Sequence, residues 1–170
     1  MILDSVNRRR FAGRFASLFS AVGAATLMGK SAGAAPAPDN DDVHKLNDQG
    51  KPAEGTNLPF IMPIVAHGGV IYVAGQGAHD EGPAASWEIG KHTTIVMDKV
   101  KKLVEAGGST MDKVVQLSVF LAKIDDYDGM NKVFKTYFPN GGPARTTVAV
   151  AALPGNSLVE VNCIAAVTKK

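Results

Sequence analysis

The sequence describes one domain-sized chain of ordinary composition. It has 170 residues, of which 45% are hydrophobic and 20% are charged, and its mean hydropathy is +0.03. A chain of this length usually holds about one domain, which excludes a large multidomain enzyme. The near-average composition excludes a fully disordered or collagen-like chain. No stretch reaches the roughly 20 apolar residues that a membrane-spanning helix needs.

The overall charge conceals two regions of opposite sign. The net charge is +2, from 18 basic and 16 acidic residues. Charged residues of the first 34 positions are mostly basic: Arg8, Arg9, Arg10, Arg14 and Lys30, against Asp4. The rest of the chain therefore has 13 basic and 15 acidic residues. Because nucleic-acid binding depends on a basic surface, we predict no nucleic-acid partner.

Residues 1–34 have the pattern of an export signal. A basic region around Arg9 precedes a mildly apolar run over residues 15–29, and small residues surround Ala34. These three parts form a secretory signal peptide, and the arginines before Phe11 resemble a twin-arginine (Tat) signal. We expect cleavage after Ala34, a periplasmic location and no membrane association of the cleaved chain. An amphipathic N-terminal helix or a membrane anchor is the alternative interpretation.

Residues 35–58 are polar and rich in Pro, Asp, Asn and Gly. Such a composition is typical of a flexible linker. Within this segment, Val43–Leu46 allows one helical turn. We therefore expect the folded domain to begin at Pro59 and to extend over residues 59–170.

From Pro59 onward the sequence alternates between strand and helix patterns. Runs of β-branched residues with period-two alternation predict strands, and apolar residues at helical spacing predict helices. In chain order we expect strands 64–67 and 70–75, a helix over 89–107, a strand over 113–122, a helix over 125–138, and strands over 145–153 and 158–167. This order predicts an α+β domain with one mixed sheet and both helices on one face. The other face then lacks a cover, so we predict a homo-oligomer.

Arg145 is the first candidate for chemistry. It is the only arginine after the leader, and the other basic residues of the body are lysines. A surface that needs only positive charge would accept lysine, whereas the planar guanidinium of arginine binds a carboxylate through two parallel hydrogen bonds. Arg145 therefore suggests a site for a carboxylate, unless it is solvated or paired with an internal acid.

Glu160 is the second candidate. It is a single carboxylate within the otherwise mostly apolar strand 158–167, and a half-buried carboxylate needs a partner or a raised pKa. If Glu160 and Arg145 lie on adjacent strands, they form either a salt bridge or the frame of a site. In such a site the arginine binds a substrate carboxylate and the glutamate handles a proton or a water molecule.

The remaining reactive residues give weaker signals. The four histidines lack the spacing of metal ligands, and His79 belongs to a polar loop, so we predict no metal site. The only cysteine, Cys163, has the strand position of a small buried hydrophobic residue and is assigned no catalytic role. The apolar stripe of the second predicted helix is interpreted as core: Tyr127, Met130, Phe134 and Phe138.

Several sequence segments together resemble the Rid family, also called YjgF or endoribonuclease L-PSP. The resemblance covers residues 59–167 and is most specific in the Pro-Ala-Arg motif, the following Leu-Pro and the Val-Glu pair. The matching segments are Gly75-Gln76, Val114–Leu121, Asn131, Pro143–Val148, Ala151–Pro154 and Val159–Val161.

The resemblance implies a chorismate-mutase-like fold and a homotrimer. Three sheets would form a central barrel, with active sites in the clefts between subunits. Members similar to the bacterial deaminases hydrolyse reactive 2-imino acids, which arise from enamines, to 2-keto acids and ammonia. The family needs no cofactor for this reaction. The implied partner is a small 2-imino or 2-keto acid.

The resemblance also implies roles for individual residues. Arg145 would bind the substrate carboxylate, and Glu160 would activate the attacking water or relay a proton. Thr147 occupies a position where many deaminases of the family have cysteine. Further residues implied at the cleft are Asn131, Ala74 and Gly75.

Two positions depart from the family pattern. Phe60 aligns best with a pocket tyrosine and lacks its hydroxyl group, and Ala74 replaces a common serine or threonine. These departures suggest weaker activity or a bulkier, more apolar imino acid as substrate. They also leave open a non-catalytic binder of small carboxylates that uses the same cleft. A ribonuclease or a holdase, activities also attached to the family, is disfavoured by the acidic body of the chain.

Overall fold

The computed structural model describes residues 42–78 and 88–167. The predicted export signal over residues 1–34, the first part of the predicted linker and the loop residue His79 lie outside these ranges. Within them, no helix has the length and apolar character required to cross a membrane.

The described residues form one six-stranded mixed sheet and two α-helices. The elements in chain order are β1 (His44–Leu46), β2 (Ile64–His67), β3 (Val70–Gln76), α1 (Ile89–Ala106), β4 (Val114–Leu121), α2 (Tyr127–Tyr137), β5 (Ala144–Ala149) and β6 (Val159–Ala166). The strand order across the sheet is β1-β2-β3-β6-β4-β5. Only the pairing of β4 with β5 is parallel. The α+β class and the mixed sheet predicted from the sequence are confirmed.

Glycines set the ends of two elements. Gly68 and Gly69 both have positive φ and connect β2 to β3 through a two-residue turn, which suits the twist of a hairpin. Helix α1 begins after Glu88, whose carboxylate accepts hydrogen bonds from two backbone N–H groups of the first turn. It ends before Gly108, which also has positive φ. The bounds of β2, β3 and α1 therefore match the predicted strands 64–67 and 70–75 and the predicted helix 89–107 to within one residue.

The core lies between the helices and one face of the sheet. In β6, alternate residues such as Val161 and Cys163 are buried, whereas Glu160 and Asn162 on the other face are partly exposed. The buried position predicted for Cys163 is confirmed. In β4 the alternation fails at Val115, which is half-exposed, because the register between β4 and β6 shifts there.

The sheet face away from the core, which we call the open face, carries both polar and apolar side chains. Tyr72, Ser118, Asn162 and Ile164 line a hollow of about 240 Å³ on it. Tyr72 is 44% exposed, which is unusual for a large side chain in the middle of a sheet. The open face is therefore a surface that favours contact with another protein surface.

Two sequence expectations about secondary structure are wrong. The helical turn expected at Val43–Leu46 is instead strand β1, because these residues pair with β2 at the sheet edge. The strand expected over 145–153 ends at Ala149. Strand β5 pairs only with β4 among the described strands, and the ladder stops where β4 ends at Leu121.

Cys163 supplies a direct check on the packing of the sheet against the helices. Its side chain is buried, and burial raises the pKa of the Cys163 thiol from 9.0 to about 12. Because the thiolate is the reactive form, we expect a thiolate-specific disulfide reagent at pH 8 to label native protein at least about 100-fold more slowly than unfolded protein. Similar labelling rates in the two states would contradict this packing.

Candidate functional site

Arg145 lies in β5 and points towards α2. In the parallel ladder it is the partner of Leu117, a buried residue of the helix-facing side of the sheet. Its guanidinium carbon lies 4.5 Å from the ring centre of Phe134 and 5.8 Å from that of Tyr127. Nη2 donates a hydrogen bond of 3.3 Å to the Tyr127 hydroxyl. Nη1 lies 4.0 Å from the sulfur of Met130. These contacts hold the guanidinium in a defined orientation.

No carboxylate of the described chain pairs with Arg145. The ion pairs within the described ranges involve only lysines. A partly buried guanidinium held by aromatic rings and one hydroxyl still has several N–H donors to satisfy. Arg145 is therefore suited to bind an external carboxylate.

Thr147 and Asn131 lie near Arg145. Thr147 follows two residues later in β5 and is the partner of Val119, so it lies on the same face as Arg145. Its Oγ1 atom is buried and has no hydrogen-bond partner among residues 42–78 and 88–167. Asn131 is partly buried in α2, next to Met130. We call Arg145, Thr147 and Asn131 the arginine half of the site.

Glu160 lies on the open face and packs against Gly75. Strand β3 has one extra residue relative to β6 between Val73 and Gln76, which brings Gly75 towards β6. A Cβ atom built on Gly75 would clash with the carboxylate oxygen of Glu160 and would lie 3.1 Å from its carboxyl carbon. Only glycine therefore permits this position of the carboxylate.

Ala74 precedes Gly75 in the chain, and a backbone hydrogen bond joins it to the segment that contains Phe60. The N–H of Ala74 donates a 3.0 Å hydrogen bond to the carbonyl of Pro63, which places the segment before β2 beside the bulge of β3. Phe60, three residues earlier and thus within about 10 Å of Pro63, is fully exposed. We call Phe60, Ala74, Gly75 and Glu160 the glutamate half of the site.

One protomer does not bring the two halves together. Strand β4 lies between β5 and β6, so Arg145 and Glu160 do not lie on adjacent strands, which was the condition for a salt bridge or a shared site between them. In the register of β4, Glu160 is the partner of Phe120 and Arg145 is the partner of Leu117. Two strand spacings and three residues along the strand separate their Cα atoms by roughly 14 Å. Their side chains also point to opposite faces, which excludes a salt bridge within one protomer.

Sequence reasoning missed the aromatic contacts of Arg145. The stripe that includes Tyr127 and Phe134 has the spacing of a core helix, and Met130 and Phe134 are indeed buried. Tyr127, however, is 39% exposed and bonds the guanidinium. The available signal was the hydroxyl group of Tyr127. Unlike the other aromatic residues of the stripe near it, Tyr127 begins its helix and can form a hydrogen bond with Arg145.

The part of the chain that contains both halves of the site matches a known protein family. Residues 55–167 match the family model described as Endoribonuclease L-PSP. The chain is 36% identical over 105 residues to "Protein mmf2, mitochondrial" of Schizosaccharomyces pombe, which is 60% of this chain and 83% of that protein. It is 32% identical over 115 residues to the human "2-iminobutanoate/2-iminopropanoate deaminase". This alignment covers 66% of this chain and 83% of that protein.

The fold is shared with solved structures. The crystal structure of a putative endoribonuclease L-PSP from Entamoeba histolytica superimposes with a TM-score of 0.62 and 31% sequence identity. The superposition covers 74% of this chain and all of that chain. Residues 55–167, which match the family model, include both halves of the site.

Proposed function

Because this chain belongs to the endoribonuclease L-PSP (Rid) family, we propose that it hydrolyses reactive 2-imino acids to 2-keto acids and ammonia. The human relative is named for this kind of reaction. The observation that carries the proposal is the division of the site. Within the part of the chain that the structure describes, a guanidinium without a carboxylate partner and a carboxylate packed on a glycine lie on opposite faces of one protomer. Two protomers acting together would supply both groups to one substrate.

The arginine half would bind the substrate carboxylate. The guanidinium plane of Arg145 is held by Phe134 and Tyr127, so its free N–H donors are oriented before the substrate arrives. Two parallel hydrogen bonds then orient the imine carbon. The buried Oγ1 of Thr147 has no hydrogen-bond partner among the described residues, and a polar atom of the substrate or of the second protomer would satisfy it.

The glutamate half would supply acid–base chemistry. The Glu160 carboxylate would accept a proton from water while the water oxygen bonds to the carbon of the protonated imine, which gives a neutral carbinolamine. Glu160 would then return that proton to the nitrogen and take the proton of the carbinol hydroxyl as the carbon–nitrogen bond breaks, so that ammonia and the 2-keto acid leave. An imine carbon is already electrophilic, so positioning and one acid–base group suffice for useful acceleration.

A homotrimer would bring the two halves together. In this arrangement the open faces of three sheets enclose a central barrel and each cleft combines the arginine half of one protomer with the glutamate half of its neighbour. The exposure of Tyr72 and Val148 supports such burial, because monomeric proteins rarely leave large apolar patches in solvent. The family resemblance supports the number of subunits.

Phe60 and Ala74 favour an apolar substrate side chain. Neither residue offers a side-chain hydrogen bond, and Phe60 is exposed in the protomer. A phenyl ring and a methyl group gain more from covering an apolar group than a polar one. The proposed substrates are therefore 2-imino acids that have aliphatic or thioether side chains.

A trapping assay tests the proposed reaction. An amino-acid oxidase generates the imino acid from leucine or methionine, and semicarbazide traps it as a semicarbazone with ultraviolet absorbance. We expect the protein to lower the rate of semicarbazone formation by competing for the imine, whereas heat-unfolded protein does not. Equal rates with and without protein, across several amino acids, would contradict the proposal. Calorimetric binding of 2-keto acids without turnover would instead identify a non-catalytic binder.

Export to the periplasm is a further part of the proposal. It rests on the basic, apolar and small-residue pattern of residues 1–34. We expect the mature protein in the periplasmic fraction of a Gram-negative host, and we expect replacement of Arg9 and Arg10 by lysine to retain it in the cytoplasm. An unprocessed chain in the cytoplasm of the unmodified strain would contradict export.

A further inference from the structure

A buried histidine and a buried serine lie in contact at the point where the ladder between β3 and β6 ends. These two strands carry Gly75 and Glu160. His92 of α1 is 0% exposed, and Ser157, which precedes β6, is 2% exposed. The Nε2 atom of His92 lies 2.9 Å from the Oγ atom of Ser157. Burial of two polar side chains is costly unless their hydrogen bonds are satisfied. The hydrogen bonds that His92 and Ser157 make to the backbone therefore indicate which segments the pair holds in place.

Ser157 links the end of β3 to the start of β6. Its Oγ accepts a 3.1 Å hydrogen bond from the N–H of Ala78. The same hydroxyl lies 2.9 Å from the carbonyl oxygen of Val159, to which it can donate. The last ladder partners of the two strands are Gln76 and Val161. Beyond that pair, the serine hydroxyl replaces the backbone ladder and sets how far the strands separate.

His92 connects this link to helix α1. The backbone N–H of Leu158 donates a 3.3 Å hydrogen bond to Nε2 of His92. A backbone hydrogen has a fixed direction, so Nε2 presents a lone pair at that point and accepts rather than donates. The single hydroxyl proton of Ser157 then has two acceptors, Nε2 and the Val159 carbonyl. The two residues before Glu160 are thus each held by a side chain: His92 bonds the N–H of Leu158, and Ser157 bonds the carbonyl of Val159.

The hydrogen bonds of Ser157 lie close in sequence to the contact between Glu160 and Gly75. Gly75 is three residues before Ala78, and Glu160 is three residues after Ser157. The carboxylate packs on Gly75 without room for a single methyl group. A change of a few tenths of an ångström in the strand separation would therefore shift the carboxylate relative to bound substrate.

We propose that His92 and Ser157 are positioning residues that hold the Glu160 carboxylate in its reactive place. The inference rests on the proposed function of Glu160 as the acid–base group. Neither residue reaches the substrate, since both are buried, and their hydrogen bonds go to the backbone next to the strands that carry Gly75 and Glu160. Their loss should lower kcat, whereas KM, which depends on carboxylate binding by Arg145, should change little.

Three variants and a matched control test the proposal. Ser157→Ala and His92→Met remove the polar link, whereas His92→Gln keeps a terminal amide at about the position of Nε2. Ser109→Ala is the control, because Ser109 is a buried serine that bonds the carbonyl of Ala166 at the other end of β6. We expect kcat to fall at least about tenfold in the first two variants with KM within about twofold of wild type. His92→Gln and Ser109→Ala should retain most of the wild-type kcat.

A spectroscopic measurement separates failure of this inference from failure of the proposed reaction. The carboxyl carbon signal of Glu160, assigned in ¹³C-labelled protein by its loss in Glu160→Gln, should move in Ser157→Ala and His92→Met and stay in place in Ser109→Ala. Absence of turnover by the wild-type protein would contradict the proposed reaction alone. An unmoved Glu160 signal in folded Ser157→Ala and His92→Met, or an equal loss of kcat in Ser109→Ala, would overturn the positioning role.

Discussion

Replacing Arg145 with lysine is expected to lower kcat/KM about 100- to 1,000-fold, mainly through a higher KM. Lysine keeps the positive charge but cannot form the two parallel hydrogen bonds of the guanidinium. Each charge-assisted hydrogen bond is worth about 1.5–3 kcal/mol, and each 1.36 kcal/mol corresponds to a factor of ten. Steady-state kinetics in the trapping assay measures the change. Calorimetry with a 2-keto acid should show a parallel loss of affinity.

The control for this substitution is a lysine outside both halves of the site. Lys101 lies on the exposed side of α1 and pairs only weakly with Glu105 at 3.9 Å. Lys101→Ala should leave kcat/KM unchanged. A kcat/KM of Arg145→Lys within about threefold of wild type would show that the carboxylate is not recognised by a guanidinium fork.

Adding one methyl group at Gly75 is expected to lower kcat about 100-fold. The new Cβ in Gly75→Ala would occupy the place of the Glu160 carboxylate, so the carboxylate must rotate away from the imine carbon. Loss of a positioned acid–base group typically costs a factor of about 10²–10⁴. Glu160→Gln should show a similar loss of kcat. KM should change less than in Arg145→Lys, because the arginine half is untouched.

Gly142→Ala is the matched control for the glycine substitution. A Cβ at Gly142 would meet only the Phe134 ring at 3.7 Å, which is an ordinary van der Waals contact. This variant should retain the wild-type kcat and melting temperature within error. If Gly75→Ala were fully active, the Glu160 carboxylate could not be the acid–base group in the position observed here.

Local patterns predicted most of the secondary structure, because they depend on interactions close in sequence. Strand β2 was predicted with the observed bounds, and β3 was predicted to within one residue. Strand β1 was missed because its three residues carry no alternation of their own and become a strand only by pairing with β2. The order of strands was also beyond local reasoning. Strand β6 lies between β3 and β4, and nothing in its own sequence specifies its two neighbours.

For the site as well, the sequence indicates individual residues, whereas their arrangement depends on how distant strands pair. Arg145 is conspicuous in the sequence as the only arginine of the body, and Glu160 as a carboxylate in a mostly apolar strand. Their opposite faces follow from the register, in which Leu117 is the partner of Arg145 and Phe120 is the partner of Glu160. A shift of one residue in either ladder would have reversed this result. The position of the carboxylate over Gly75 likewise depends on a bulge that only the paired strands reveal.

Mixing two inactive variants tests the central claim that each site combines the arginine of one protomer with the glutamate of another. Arg145→Ala and Glu160→Gln are each unfolded, combined in equal amounts and refolded together. If the halves come from different protomers, about one quarter of the sites in random assemblies contain both wild-type residues, and about one quarter of the wild-type activity returns. If both residues of a site come from one protomer, every site lacks one of them. Activity of the mixture no higher than that of the separate variants would contradict the account.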